Sequence, residues 1–116
     1  MTESFPRIET IDELDAAFAR SRENPVVLFN HDPWCPISAR AFRALAQQPH
    51  PLSLIDVSRR RDITLELARR TGVRHESPQV IVVHDGAARW AASHFAITAG
   101  DVDAAVRGVS ASEHRD

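Results

Sequence analysis

The 116-residue chain has no tyrosine, no lysine, only four glycines and a single cysteine, Cys35. One cysteine forbids an intramolecular disulfide, and without a cysteine cluster there is no sulfur set for zinc or an iron–sulfur centre. The six histidines offer no alternative, since no two share a helix face with a carboxylate between them, and no metal is expected. No apolar run approaches the roughly 20 residues that cross a bilayer, and Met1 to Glu9 lacks a basic start followed by an apolar stretch. The sequence therefore predicts no membrane association and points to the cytoplasm, a reducing compartment. Charge of one sign is lacking as well: 14 basic residues, all arginine, face 16 acidic ones, for a net charge of -2. That balance leaves no electrostatic footprint for a phosphate backbone, so nucleic acid is not an expected partner. What remains is 43% hydrophobic and 26% charged, the make-up of one ordinary domain. A chain of this length buries roughly two-thirds of its unfolded surface, enough for a core without staples.

Periodicity supplies the elements. Thr10 with Glu13 forms a capping box, and Ile11, Leu14 and Phe18 recur at helical spacing up to about Ser21. Phe5 to Ile8 reads as a short leading strand. The continuous run Val26-Val27-Leu28-Phe29 predicts a strand buried on both faces. Pro36 suits the first turn of a second helix marked by Ile37, Ala41, Leu45 and Gln48. Leu52 to Val57 is another strand. Ile63, Leu67 and Ala68 outline a helix ending at Gly72, with Arg69 and Arg70 in its last turn. Gln79 to Val83 and Ala88 to Phe95 form a hairpin around Asp85-Gly86. Thr98 and Asp101 cap a last helix with Val102, Ala105, Val106 and Val109 on its stripe. The expectation is one α/β domain over 1–109, ordered β-α-β-α-β-α-β-β-α with a central mixed sheet flanked by helices, and a flexible tail over 110–116. This order resembles the thioredoxin fold.

In that arrangement Trp34-Cys35-Pro36-Ile37-Ser38 falls between the first central strand and the next helix. Free backbone N–H groups and the positive helix end stabilise a thiolate there, and the thiolate is the nucleophile. Ser38 holds the place of a resolving cysteine; its hydroxyl can donate to the sulfur but cannot form a disulfide. Cys35 is therefore expected to work as a monothiol. The opposing reading is a small inert hydrophobe, which the flanking polar loop disfavours. Trp34 is either packing or an aromatic wall beside a mixed disulfide. Thr71 to Pro78 resembles the thioredoxin-fold segment in which a cis-proline, here Pro78, faces the cysteine. In that segment the residue before the proline, here Ser77, offers its backbone to an extended substrate.

The combination of Cys35-Pro36-Ile37-Ser38 and His31 with Gly72-Val73-Arg74-His75-Glu76-Ser77-Pro78-Gln79, then Trp90, Ser93-His94 and Ile97-Thr98, resembles the monothiol bacilliredoxin family from about Ile8 to Val109. It departs from that family's pattern at Asn30 and Trp34. The resemblance implies thiol–disulfide exchange with bacillithiol, a cysteinyl-glucosamine-malate, as co-substrate, no tightly bound cofactor, and bacillithiolated proteins as partners. It also implies that Cys35 is the nucleophile and Ser38 its non-resolving partner. Malate carries two carboxylates, for which Arg74 and then Arg40 are the candidate cations, each equally readable as a solvated arginine. His31 could favour the thiolate, serve in proton transfer, or simply be exposed. His75 and Glu76 border the same loop and either tune Cys35 or fix the loop geometry, with pinning the preferred reading. The alternatives are a less specific low-molecular-weight thiol transferase, a non-catalytic peptide-docking module and a dimer-forming redox sensor.

Overall fold

The computed structural model describes residues 5–113. Its elements are α1 (Ile11–Arg20), β1 (Val26–His31), α2 (Pro36–Leu45), β2 (Leu52–Asp56), α3 (Arg61–Thr71), β3 (Gln79–His84), β4 (Ala87–Ser93), a 3-10 turn (His94–Ala96) and α4 (Ala99–Glu113). The strands form one mixed sheet in the order β2-β1-β3-β4. β1 runs parallel to β2 and antiparallel to β3, and β4 returns antiparallel along β3. The architecture is α/β.

Side-chain alternation along the central strands builds two cores. Val27 and Phe29 of β1 with Val80 and Val82 of β3 face α2 and α4, where they meet Ala41, Leu45, Val102 and Val106. Leu28, Ile81 and Val83 face the other way, onto Leu14 and Ala17 of α1 and Ile63 and Leu67 of α3. Every residue of β3 is buried, as a strand covered on both faces requires. Two glycines carry the special backbone: Gly72 ends α3 in the left-handed region, and Asp85 and Gly86, both at positive φ, close the hairpin. No helix among the described residues is long and apolar enough to cross a membrane.

The expected leading strand is reduced to one bridge, Arg7 to Leu54, because Pro6 has no N–H and can offer only its carbonyl, which accepts from the Leu54 amide. The last strand stops at Ser93 rather than Phe95: His94 adopts φ 56, which breaks the extended course. α2 closes at Leu45, short of Gln48, whose side-chain amide instead bonds both the amide and the carbonyl of His50. α4 continues to Glu113, past the Ser110 start expected for a tail; Ala111 suits a helix. Residues 114–116 lie outside the described part of the chain.

Candidate active site

Strand direction brings the functional segments together. β1 ends at His31 beside Asn30↔Gln79, the opening pair of β3, so the loop into α2 and the loop over 72–78 leave the same end of the sheet. β4 arrives there too, with Ser93 opposite Gln79. The 3-10 turn follows, its His94 amide donating to the Pro78 carbonyl.

Cys35 is half-buried and is the N-cap of α2. Asp32 shapes the approach: its carboxylate accepts the Trp34 amide at 2.9 Å and its carbonyl the Cys35 amide at 3.1 Å. Pro36 occupies the first turn, and that turn holds no acidic residue, in contrast to α1, which begins with Asp12 and Glu13. No carboxylate of the helix itself therefore faces the positive end of α2, which Cys35 caps.

Ser38 is fully buried, and its hydroxyl has other partners than the sulfur. Its Oγ accepts the Asp32 amide at 2.9 Å and lies 2.7 Å from His31 Nδ1. The donation to Cys35 expected from the sequence is therefore not made in this arrangement, in which the hydroxyl is engaged by His31 and Asp32. The loop histidine of the sequence reading is corrected: His31 is the last residue of β1, buried, with its ring packed between Phe29 and Phe42 at centroid distances of 5.1 and 5.2 Å. Burial lowers its proton affinity below the ordinary histidine range; Asp56 opposes this, Arg7 adds to it, and Asp32 opposes it.

The Ser77–Pro78 bond is cis, and Pro78 is buried while Ser77 is half-buried. Among the described residues the Ser77 backbone N–H and C=O carry no hydrogen bond, and its buried Oγ has no partner. The loop is held instead through an amide chain that the sequence reading missed. Buried Asn30 donates to Gln79 Oε1 at 3.0 Å, and Gln79 Nε2 donates to the Arg74 carbonyl at 2.8 Å. The signal was available: two amides at the ends of otherwise apolar strands need each other.

Trp34 is 83% exposed and Phe95 62% exposed, with the Arg40 guanidinium 5.1 Å above the Phe95 ring. Pro36 and Arg74 are exposed, and the Arg74 guanidinium has no carboxylate partner among the described residues. His94 and Glu76 approach to 3.4 Å and tie the 3-10 turn to the 72–78 loop. Burial lowers the proton affinity of His75, with Arg61 adding to the effect and Glu76 opposing it. A concavity of about 1000 Å³, lined by Pro6, Pro25, Val26, Pro51, Leu52 and Val106, lies at the opposite end of the sheet from Cys35. No three metal-ligating side chains gather among the described residues.

A mixed sheet with helices on both faces, and a cysteine capping the helix that follows the central strand, define a thioredoxin-fold protein of thiol–disulfide oxidoreductase type. Solved structures agree: a candidate oxidoreductase with a thioredoxin fold is 26% identical with a TM-score of 0.77, covering 86% of this chain and 91% of its own. Thioredoxin from Fasciola hepatica is 13% identical with a TM-score of 0.68, covering 90% and 98%. Thioredoxin from Trypanosoma brucei brucei is 13% identical at 0.69, covering 91% and 90%; these two speak to the fold alone. Residues 6–102 match the monothiol bacilliredoxin BrxC family, and the chain belongs to that family.

Proposed function

We propose that the protein is a cytoplasmic monothiol exchange factor that takes bacillithiol from, or returns it to, protein cysteines through Cys35. The observation that carries the reading is the sole thiol at the N-cap of α2 with a serine three residues on. The Cys35 thiolate attacks the bacillithiol sulfur of a client mixed disulfide. The client sulfur leaves as a thiolate and takes a proton from water, and a Cys35–bacillithiol disulfide remains. Ser38 cannot resolve that disulfide, so a second thiol must attack it and reduce Cys35. Reversal of the first step loads bacillithiol onto a client. No tightly bound cofactor takes part.

The unpaired backbone of Ser77 gives an extended client two hydrogen-bonding groups, a short form of strand addition. Trp34 supplies an apolar wall and Pro36 keeps the helix end open. Arg74, followed by Arg40, is the cation suited to the malate carboxylates.

A second reading, a less selective transferase of low-molecular-weight thiols, is favoured by the open setting of the site, where Trp34 is almost wholly solvent-facing. One experiment separates the two. Reduced protein is exposed to equal amounts of bacillithiol disulfide, glutathione disulfide and coenzyme A disulfide, and its intact mass is followed beside a Cys35→Ser control. A rapid bacillithiol adduct absent from the control supports the first reading. Equal adducts support the second, and no adduct leaves only a peptide-docking role.

A further inference from the structure

We propose that His31 is a positioning residue: protonation of its Nδ1 releases the Ser38 hydroxyl proton toward the Cys35 sulfur. This rests on Cys35 being the reactive thiolate, not on bacillithiol being its substrate.

The argument is a count of lone pairs and protons. The Ser38 oxygen has two acceptor sites and one proton. The Asp32 amide fills one acceptor site at 2.9 Å. His31 Nδ1, at 2.7 Å, takes what is left in one of two ways. With Nδ1 bare, the hydroxyl donates to the ring and has nothing for Cys35. With Nδ1 protonated, the ring donates to the oxygen and the hydroxyl proton must find another acceptor. Ser38 is 0% exposed, so bulk water cannot provide one. Cys35 is the extended N-cap and Ser38 lies three residues on in α2; no hydrogen bond joins them in the resting arrangement, and the freed hydroxyl turns toward the cap to reach the sulfur. A thiolate there is the acceptor that gains most from the freed proton. The proton that starts the switch enters from solvent and forms the Nδ1–H bond; the Ser38 O–H bond stays intact and only redirects its hydrogen bond, and nothing is oxidised.

The surroundings fit a group that titrates. Asp56 of β2 stands opposite His31 in the parallel ladder. Arg7 lies 3.6 Å from Asp56, and Asp32 follows His31 directly. The rings of Phe29 and Phe42 close off the remainder. Burial makes the uncharged ring the resting state near neutrality, so the switch operates on the acid side.

The test combines two measurements between about pH 5 and about pH 8: imidazole nitrogen NMR of His31, and the rate at which iodoacetamide alkylates Cys35. Wild-type protein is expected to show a neutral His31 with its proton on Nε2. Its alkylation profile should carry an acid shoulder at the His31 midpoint. In Ser38→Ala, His31 still titrates but the shoulder disappears, with acid-side alkylation slower on the order of tenfold. His31→Gln removes the shoulder from the other side, and Ser38→Thr restores it. A neutral ring protonated at Nδ1, or identical alkylation profiles for wild type and either Ser38→Ala or His31→Gln, overturns the proposal. Iodoacetamide reports the thiolate whatever thiol the protein prefers, so failure of bacillithiol exchange leaves this test intact.

Discussion

Ser38 holds two polar groups at the base of the site, and removing its hydroxyl leaves both without their partner. The Asp32 amide loses its acceptor and the buried His31 Nδ1 loses a bond of 2.7 Å. Ser38→Ala is therefore expected to cost about 1–3 kcal/mol, the usual penalty for stranding buried polar groups. Urea denaturation measures it; an unchanged midpoint would mean that the two groups find other partners. Gly72 is the second position where one side chain decides. Its φ of 72 lies in the left-handed region, yet a Cβ there would touch nothing within 4 Å. Gly72→Ala should therefore cost only the backbone penalty, about 1 kcal/mol, and Gly72→Asn less. A loss several times larger would point to crowding that the structure does not contain.

At the scale of elements, the loop over 72–78 depends on the amide chain from Asn30 through Gln79 to the Arg74 carbonyl. Gln79→Ala cuts it in the middle and leaves Asn30 Nδ2 buried without its partner. Hydrogen exchange at the Val73 to Ser77 amides should accelerate at least severalfold while the β1 amides keep their protection. Uniform acceleration would instead report global destabilisation. The elements themselves were largely legible, because buried strands and amphipathic helices write their period directly into the chain. Thr10 does accept the Glu13 amide, although Glu13 reaches back to the Glu9 amide and not to that of Thr10. The placement of Cys35 at a strand–helix junction was legible for the same reason. The burial of His31 and its contact with Ser38 were not. Whether a polar residue at the end of a strand is exposed or buried depends on what the next helix lays over it. Here Phe42 of α2 covers His31, a fact of packing that no local pattern encodes. His94 at positive φ was hidden likewise, since its amide is held by the Pro78 carbonyl across the hairpin.

At the scale of the molecule, proton binding sets a stability profile with two descending stages. Burial lowers the proton affinity of His31 and His75 in the folded state. As pH falls, the unfolded chain takes up these protons first, so stability is full above the ordinary histidine value near 6.5 and is lost on the way down through the depressed values. Glu66 shows the same sign lower on the scale. Its hydrogen bonds from Arg69 and then Arg70 hold it near about 2 instead of 4.5, so its contribution is present above 4.5 and fades toward 2. Asp62 and Asp103, lowered chiefly by Arg60 and Arg107, fall in the same acid stage. Urea midpoints measured across this range should decline once below neutrality and again in the carboxylate range. In a His31→Gln, His75→Gln double variant the first decline should flatten and the second persist, because the two stages draw on groups in different parts of the fold. A wild-type midpoint that stays constant from about pH 7 to about pH 5 would show that neither histidine is held neutral by burial. That result would also remove the resting state on which the His31 switch depends.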